Sequence, residues 1–192
     1  PNAARITQMG FDADLFETVL TSGEALWQDI AAGRVAHNKL YPITHAPGDA
    51  VDWAEGLDIT LSSSLEDADA ILLMGLPDGA SEADYTDLLR EARDRDLPML
   101  CTNPDRASPR ADGITVVSPG ALAHKYDAMG GTVRFYGKPH APVFDAIAHS
   151  LGTQHLLMVG DSLEHDIAGG HAAGWATLFI QDGLHAAAFQ AG

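Results

Sequence analysis

The chain has 192 residues, 46% of them apolar and 20% charged, with a formal net charge of −16. That length buries the core of one domain or of two small ones, and the composition is that of a soluble globular protein. The acidic balance argues against a nucleic-acid footprint, no apolar run reaches the length of a membrane span, and no secretory signal is visible at the start of these residues.

In chain order, Ala3–Met9 reads as the tail of a helix stopped at Gly10. Glu17–Thr21 reads as a short strand, and Ser22 as the cap of a helix running through about Ala32. Asp58–Leu61 and Ala70–Met74 read as strands, and Ser81–Arg95 as a helix with Ser81 as its N-cap and Asp84 at its third position. Pro98–Cys101 is a strand that runs into the turn Thr102-Asn103-Pro104-Asp105. Pro119–Met129 is a helix closed by Gly130-Gly131, and Ala141–Leu151 another. His155–Val159 is expected as a buried strand, Leu163–Ala173 as a helix and Ala176–Ile180 as a last strand. Alternating strands and helices make the fold class α/β. Residues 35–118 form a self-contained α/β block between 1–34 and 119–192, which are two pieces of another unit.

Two features carry chemistry. Asp161 stands where an apolar strand ends, the position at which open α/β sheets bind ligands, and a second carboxylate, Asp166, follows five residues on. Mg²⁺ takes few protein carboxylates and shares oxygens with a phosphate, which suits such a pair. Lys138, one of only three lysines, lies in Gly137-Lys138-Pro139 just before a helix start, where a point charge would neutralise phosphate. Asp161 and Ser162 also read as a plain helix cap, Asn103 and Asp105 as a self-stabilised turn, and Ser22 as a plain N-cap. Nine histidines offer no paired spacing with a nearby third ligand for zinc. The tryptophans read as packing residues. Cys101 stands alone, which rules out an intramolecular disulfide and fits a reducing, cytoplasmic setting.

Gly137-Lys138-Pro139 and Gly160-Asp161-Ser162-Leu163-Glu164-His165-Asp166, in this order and spacing, resemble the third and fourth motifs of the haloacid dehalogenase superfamily. Thr21-Ser22-Gly23-Glu24, Cys101-Thr102-Asn103-Pro104-Asp105 and Gly120-Ala121-Leu122-Ala123 resemble subfamily IIA, with its NagD-like and p-nitrophenyl phosphatase-like members. The resemblance implies a Rossmann-like parallel-sheet core with an inserted C2-type cap over 35–118. It also implies Mg²⁺-dependent hydrolysis of a small phosphate monoester (a sugar phosphate, a nucleotide or a p-nitrophenyl phosphate-like ester) through an aspartyl-phosphate. On this resemblance Asp161 and Asp166 hold the metal, and Lys138 neutralises the phosphate and orients the nucleophile. Ser22, Gly23, Asn103, Asp105 and Ser162 line the substrate. The expected partner is a small phosphorylated molecule, with no nucleic acid and no membrane; homo-oligomer formation stays open.

The family's first motif, an aspartate nucleophile with a second aspartate as general acid/base, should end a strand before the cap. Asp12-Ala13-Asp14 follows a helix end and Asp67-Ala68-Asp69 precedes a strand, so neither fits. The chain is therefore expected to be a fragment that begins after the second motif, stops early and is inactive by itself. Two other readings stay open. One is a non-catalytic phosphate- and metal-binding module. The other is a different Rossmann-like nucleotide binder, although neither a GxGxxG nor a GxxxxGK[ST] loop is present.

Overall fold

The computed structural model describes residues 2–109 and 115–189. The first elements are α1 (Asn2–Gln8), α2 (Ser22–Ala31), β1 (Lys39–Ile43), α3 (Asp49–Trp53), β2 (Thr60–Leu61) and β3 (Ala70–Leu73). A 3-10 turn at Glu82–Tyr85 leads into α4 (Thr86–Asp94), followed by β4 (Met99–Cys101), β5 (Ala107–Pro109) and β6 (Thr115–Val117). Then come α5 (Pro119–Ala128), β7 (Val133–Phe135), α6 (Ala141–Leu151) and β8 (Leu157–Gly160). A π-helical turn at Leu163–Ile167 runs into α7 (Ala168–Ala172), and β9 (Ala176–Phe179) and α8 (Ala186–Phe189) follow. Among the described residues no helix is long and apolar enough to cross a membrane.

The chain divides into two compact units. One is Pro1–Ala25 with Lys138–Gly192, and the other is the inserted Leu26–Gly137. The inserted unit is thus longer at both ends than the block 35–118, and its C-terminal extension carries β7, which completes its sheet. That sheet is wholly parallel, with strand order β2-β1-β3-β4-β7. The sequence Ala70–Leu73 is uninterruptedly apolar because β3 is buried on both faces, as parallel strands are. Ile71, Leu73 and Met99 pack against Leu89 of α4 and Leu122 and Tyr126 of α5. The Tyr126 hydroxyl donates to the Leu97 carbonyl at 2.6 Å, so this large side chain is buried without an orphaned polar atom.

Strands β1 and β7 were not legible in the sequence. Pro42 sits inside β1 and demotes it, since proline cannot donate to a ladder. The register explains why it is tolerated: the Leu40 carbonyl accepts from Ser62 on the β2 side, and Pro42 faces that same side, where β2 has already ended at Leu61. At the start of β3, the Asp69 carboxylate accepts the backbone N–H groups of Asn38 and Lys39 and so holds β1 in register.

In the other unit β8 and β9 pair in parallel, Leu157 with Ala176 and Val159 with Leu178. Met158 turns to Gly170 of α7, and Val143, Phe144, Ala148 and Trp175 form a small core. Gly152 closes α6 in the left-handed conformation (φ 63°), which costs glycine nothing. The expectation of a buried strand at His155–Val159 is corrected. It starts later, and Leu157 and Val159 are about half exposed, because only one face of this two-stranded sheet carries helices. Glu17–Thr21 forms no strand, since among the described residues no neighbour supplies a ladder for it. Thr21, not Ser22, caps α2: its hydroxyl accepts the Glu24 N–H at 3.2 Å, and Ser22 is already the first helical residue. Leu163–Ala173 is not one α-helix but a π-helical turn followed by α7.

The indole N–H of Trp175 is buried and has no hydrogen-bond partner among the described residues, while its ring meets Phe144 edge-on at 5.2 Å. Trp175→Phe keeps the aromatic contact and removes the orphaned donor. It is expected to change stability by less than about 1 kcal/mol, against roughly 3–5 for Trp175→Ala, as read by urea unfolding midpoints.

Candidate active site

The site grows from the end of β8. Ser162 caps the following turn, its hydroxyl accepting the His165 N–H at 3.2 Å and lying 2.8 Å from His165 Nδ1. The turn is π-helical: the Ser162 carbonyl accepts from both Asp166 and Ile167. This wider turn swings Asp166 back beneath the strand end, where its side chain is 5% exposed. There the carboxylate has three partners. Oδ1 accepts the Lys138 ammonium in a close ion pair, and Oδ2 accepts the Ser162 N–H at 3.1 Å. The Asp161 N–H also supports the charged form. Burial alone would raise the Asp166 pKa. The Lys138 hydrogen bond, the two backbone donors and the Lys138 charge outweigh it, and the pKa is lowered.

Lys138 reaches this carboxylate from the segment before α6, across a cis Lys138–Pro139 peptide. Its side chain is half exposed, so the ammonium is anchored on one side and open to solvent on the other. Gly160 makes the arrangement possible: a Cβ there would lie 2.2 Å from Asp166 Oδ2. Asp161 points elsewhere. Its Oδ2 accepts the Leu184 N–H at 2.8 Å, which steadies the carboxylate at the sheet's carboxyl end, and Oδ1 accepts no hydrogen bond from the described residues.

Among the described residues no three His, Cys, Asp or Glu side chains converge as a ready-made metal cluster. The donor chemistry available is therefore one steadied carboxylate, Asp161, beside a second, Asp166, that is committed to a lysine. This fits a hard cation that keeps waters and draws further oxygens from a phosphate.

Lys138, Asp161, Ser162 and Asp166 thus belong to one unit, and three of them meet at one carboxylate. Ser22 and Gly23 open α2. Asn103 and Asp105 belong to the inserted unit, where Asn103 Oδ1 accepts the Asp105 N–H at 3.0 Å and builds the expected turn. The Leu184 N–H and the His165–Ser162 pair were missed as site components. The first is a backbone group from a distant loop, and the second depends on the π-helical turn.

A HAD-hydrolase-like family model matches residues 135–190, the segment that holds Lys138, Asp161 and Asp166. Rat (Rattus norvegicus) chronophin is 29% identical over 95% of this chain and 61% of its own length. A haloacid dehalogenase-like hydrolase structure from Brucella suis 1330 is 31% identical, with a TM-score of 0.72 over 88% of this chain and 66% of that one. The chain belongs to the haloacid dehalogenase superfamily. Its fold also matches that of the p-nitrophenyl phosphatase from Archaeoglobus fulgidus, with a TM-score of 0.74 over 97% of this chain and 72% of that one, at 22% identity. The chain spans about three fifths of the length of the chronophin it matches.

Proposed function

We propose that this chain carries the lysine and carboxylate half of a subfamily IIA phosphatase, with Leu26–Gly137 as a C2-type cap, acting on a small phosphate monoester in the cytoplasm. The observation that carries the reading is the buried Asp166 carboxylate joined to Lys138 beside the strand-end Asp161. Asp161 would hold Mg²⁺ directly and Asp166 would support the site from behind. When bound, the metal would offset charge on the phosphate. Lys138, tethered by Asp166, presents a fixed positive charge to a phosphate oxygen and to the charge that develops on it during transfer. Ser162 holds the turn that aims both carboxylates, and Ser22, Gly23, Asn103 and Asp105 are the proposed contacts to the rest of the substrate.

No residue of this chain is assigned as the nucleophile. Asp12 heads an exposed 3-10 turn at Ala13–Leu15 and its side chain accepts the Asp14 N–H, so it does not end a strand. The chain alone is therefore proposed to bind phosphate esters without turning them over. The test measures Mg²⁺-dependent hydrolysis of p-nitrophenyl phosphate by these 192 residues and by a form lengthened upstream from the gene. Hydrolysis by the lengthened form only, lost in its Asp161→Asn variant, is the expected result. Ester binding without turnover in both forms would mark a non-catalytic binding module. Turnover by the short chain would overturn the assignment of Asp12 as a structural cap.

A further inference from the structure

The chain enters the inserted unit at Leu26, inside α2, and leaves it at Gly137, shortly after β7. Strand β7 is three residues long and stands at the edge of the sheet, where β4 alone pairs with it. Phe135 turns to His124 of α5, with ring centres 4.8 Å apart. Its neighbours Arg134 and Tyr136 lie together, the guanidinium 4.9 Å from the centre of the phenol ring, and both reach one carboxylate, Asp29 of α2.

That carboxylate has three donors. Oδ1 accepts the Arg34 Nε–H at 2.7 Å, and Oδ2 accepts Arg134 Nη2–H at 2.6 Å and the Tyr136 hydroxyl at 3.0 Å. The end of α2 prepares the first of these. Gly33 takes the left-handed conformation (φ 68°), and the Arg34 N–H returns to the Asp29 carbonyl at 2.8 Å, a Schellman stop that sets Arg34 beside the carboxylate. The other two bonds join residues 105 and 107 positions apart. The Asp29 side chain is 13% exposed and both guanidiniums about half exposed. Burial, followed by the Asp29 charge, pushes the Tyr136 pKa up, so its hydroxyl keeps the proton and stays a donor. Hydrogen bonds to a charged acceptor are the strong class, and loss of this one would strand a fully buried phenol. Asp29 is thus a clamp that ties α2 to the edge strand from which the chain leaves.

The consequence lies two residues on. The Tyr136 N–H donates to the Cys101 carbonyl at 2.9 Å, and Lys138 follows after Gly137. Two extended residues span at most about 7 Å, so a fixed Tyr136 confines the Lys138 backbone. The Lys138 ammonium is held separately, by Asp166. A lysine fastened only at its tip would leave its stem and backbone free to drift.

We propose that Asp29 is a positioning residue for Lys138: acting through Tyr136, it fixes the backbone from which the ammonium reaches Asp166. That the ammonium so placed serves a phosphate rests on the phosphatase reading; the placement itself does not. The experiment is NMR of the full chain carrying Asp29→Asn, which exchanges one acceptor for an NH₂ group, or Tyr136→Phe, which removes only the hydroxyl. The readouts are the Lys138 ammonium and the Ser162 amide, which donates to the same Asp166 carboxylate. In Asp29→Asn both signals should move, and the ammonium protons should exchange with water about tenfold faster, the scale of one lost charge-assisted hydrogen bond. Tyr136→Phe should act in the same direction and less. The Ile71 and Leu72 amides of β3 should stay in place, which shows the inserted sheet intact. Wild-type Lys138 and Ser162 signals in Asp29→Asn with β3 unchanged would overturn the proposal, since the clamp would then serve the inserted unit alone. Should Asp29→Asn unfold that unit, Tyr136→Phe decides: displaced Lys138 and Ser162 signals support the proposal and wild-type ones overturn it. No ester is added and no turnover is read, so a failure here is separate from a failure of the phosphatase reading.

Discussion

Gly160→Ala is expected to destabilise the unit that holds the site by about 3–5 kcal/mol and to disengage Lys138 from Asp166. The new methyl carbon would sit 2.2 Å from Asp166 Oδ2, 2.3 Å from its Cγ and 2.5 Å from its Cβ. Side chains that overlap a flexible neighbour cost little, because the neighbour swings away. Asp166 cannot swing away without leaving two backbone N–H groups and an ammonium, and it is only 4% exposed. Displacement would strand a buried charge, which is costlier than the overlap itself. Urea unfolding gives the stability change. The Lys138 ammonium signals in NMR report the ion pair directly, and a wild-type-like midpoint would show that the strand end yields instead of the carboxylate.

Asp166→Asn is expected to cost about 2–3 kcal/mol near neutral pH, less than a fully buried pair would lose because the Lys138 side chain is half exposed. Asparagine offers one acceptor and one donor end where the native carboxylate offers two acceptors. Either Lys138 or the Ser162 N–H then faces an NH₂ group. The pH dependence follows from the lowered Asp166 pKa. A group whose folded pKa lies below its unfolded value adds stability above the unfolded value, here the ordinary 3.8, and loses it as pH falls through the folded one. Wild type should therefore show an acid-side loss of stability beginning near pH 4 that the variant lacks, and the two unfolding curves should converge at lower pH. Parallel curves over the whole acid range would show that Asp166 is not the titrating group.

Lys138, Asp161 and Asp166 could be singled out as candidates because the signals that mark them are local. A strand end, a fixed spacing and a lysine between glycine and proline are all contained in two short stretches. The Ser81–Asp84 helix start was legible for the same reason: its reciprocal capping contacts join residues three apart. The helix α6, Ala141–Leu151, was readable to its last residue because Gly152 marks the stop. Where neighbours decide, the reading failed. Glu17–Thr21 has strand chemistry but no ladder beside it, and β1 is a strand despite Pro42 because β2 is only two residues long.

By itself, then, the amino-acid order determined the α/β class and the family resemblance, and it singled out the charged groups of the candidate site. The class follows from hydrophobic period and turn residues along the chain, and the family from the likeness of its Gly137–Pro139 and Gly160–Asp166 motifs to known ones. Only the tertiary structure decided that β7 belongs to the inserted unit, that a π-helical turn carries Asp166 under the strand end, and that Gly160 leaves room for it there. It alone brought Arg134 and Tyr136 to the Asp29 carboxylate. The physical reason is range: caps and turns close between residues a few positions apart, whereas sheet order and close approaches depend on segments tens of residues away. No single stretch of the chain records them.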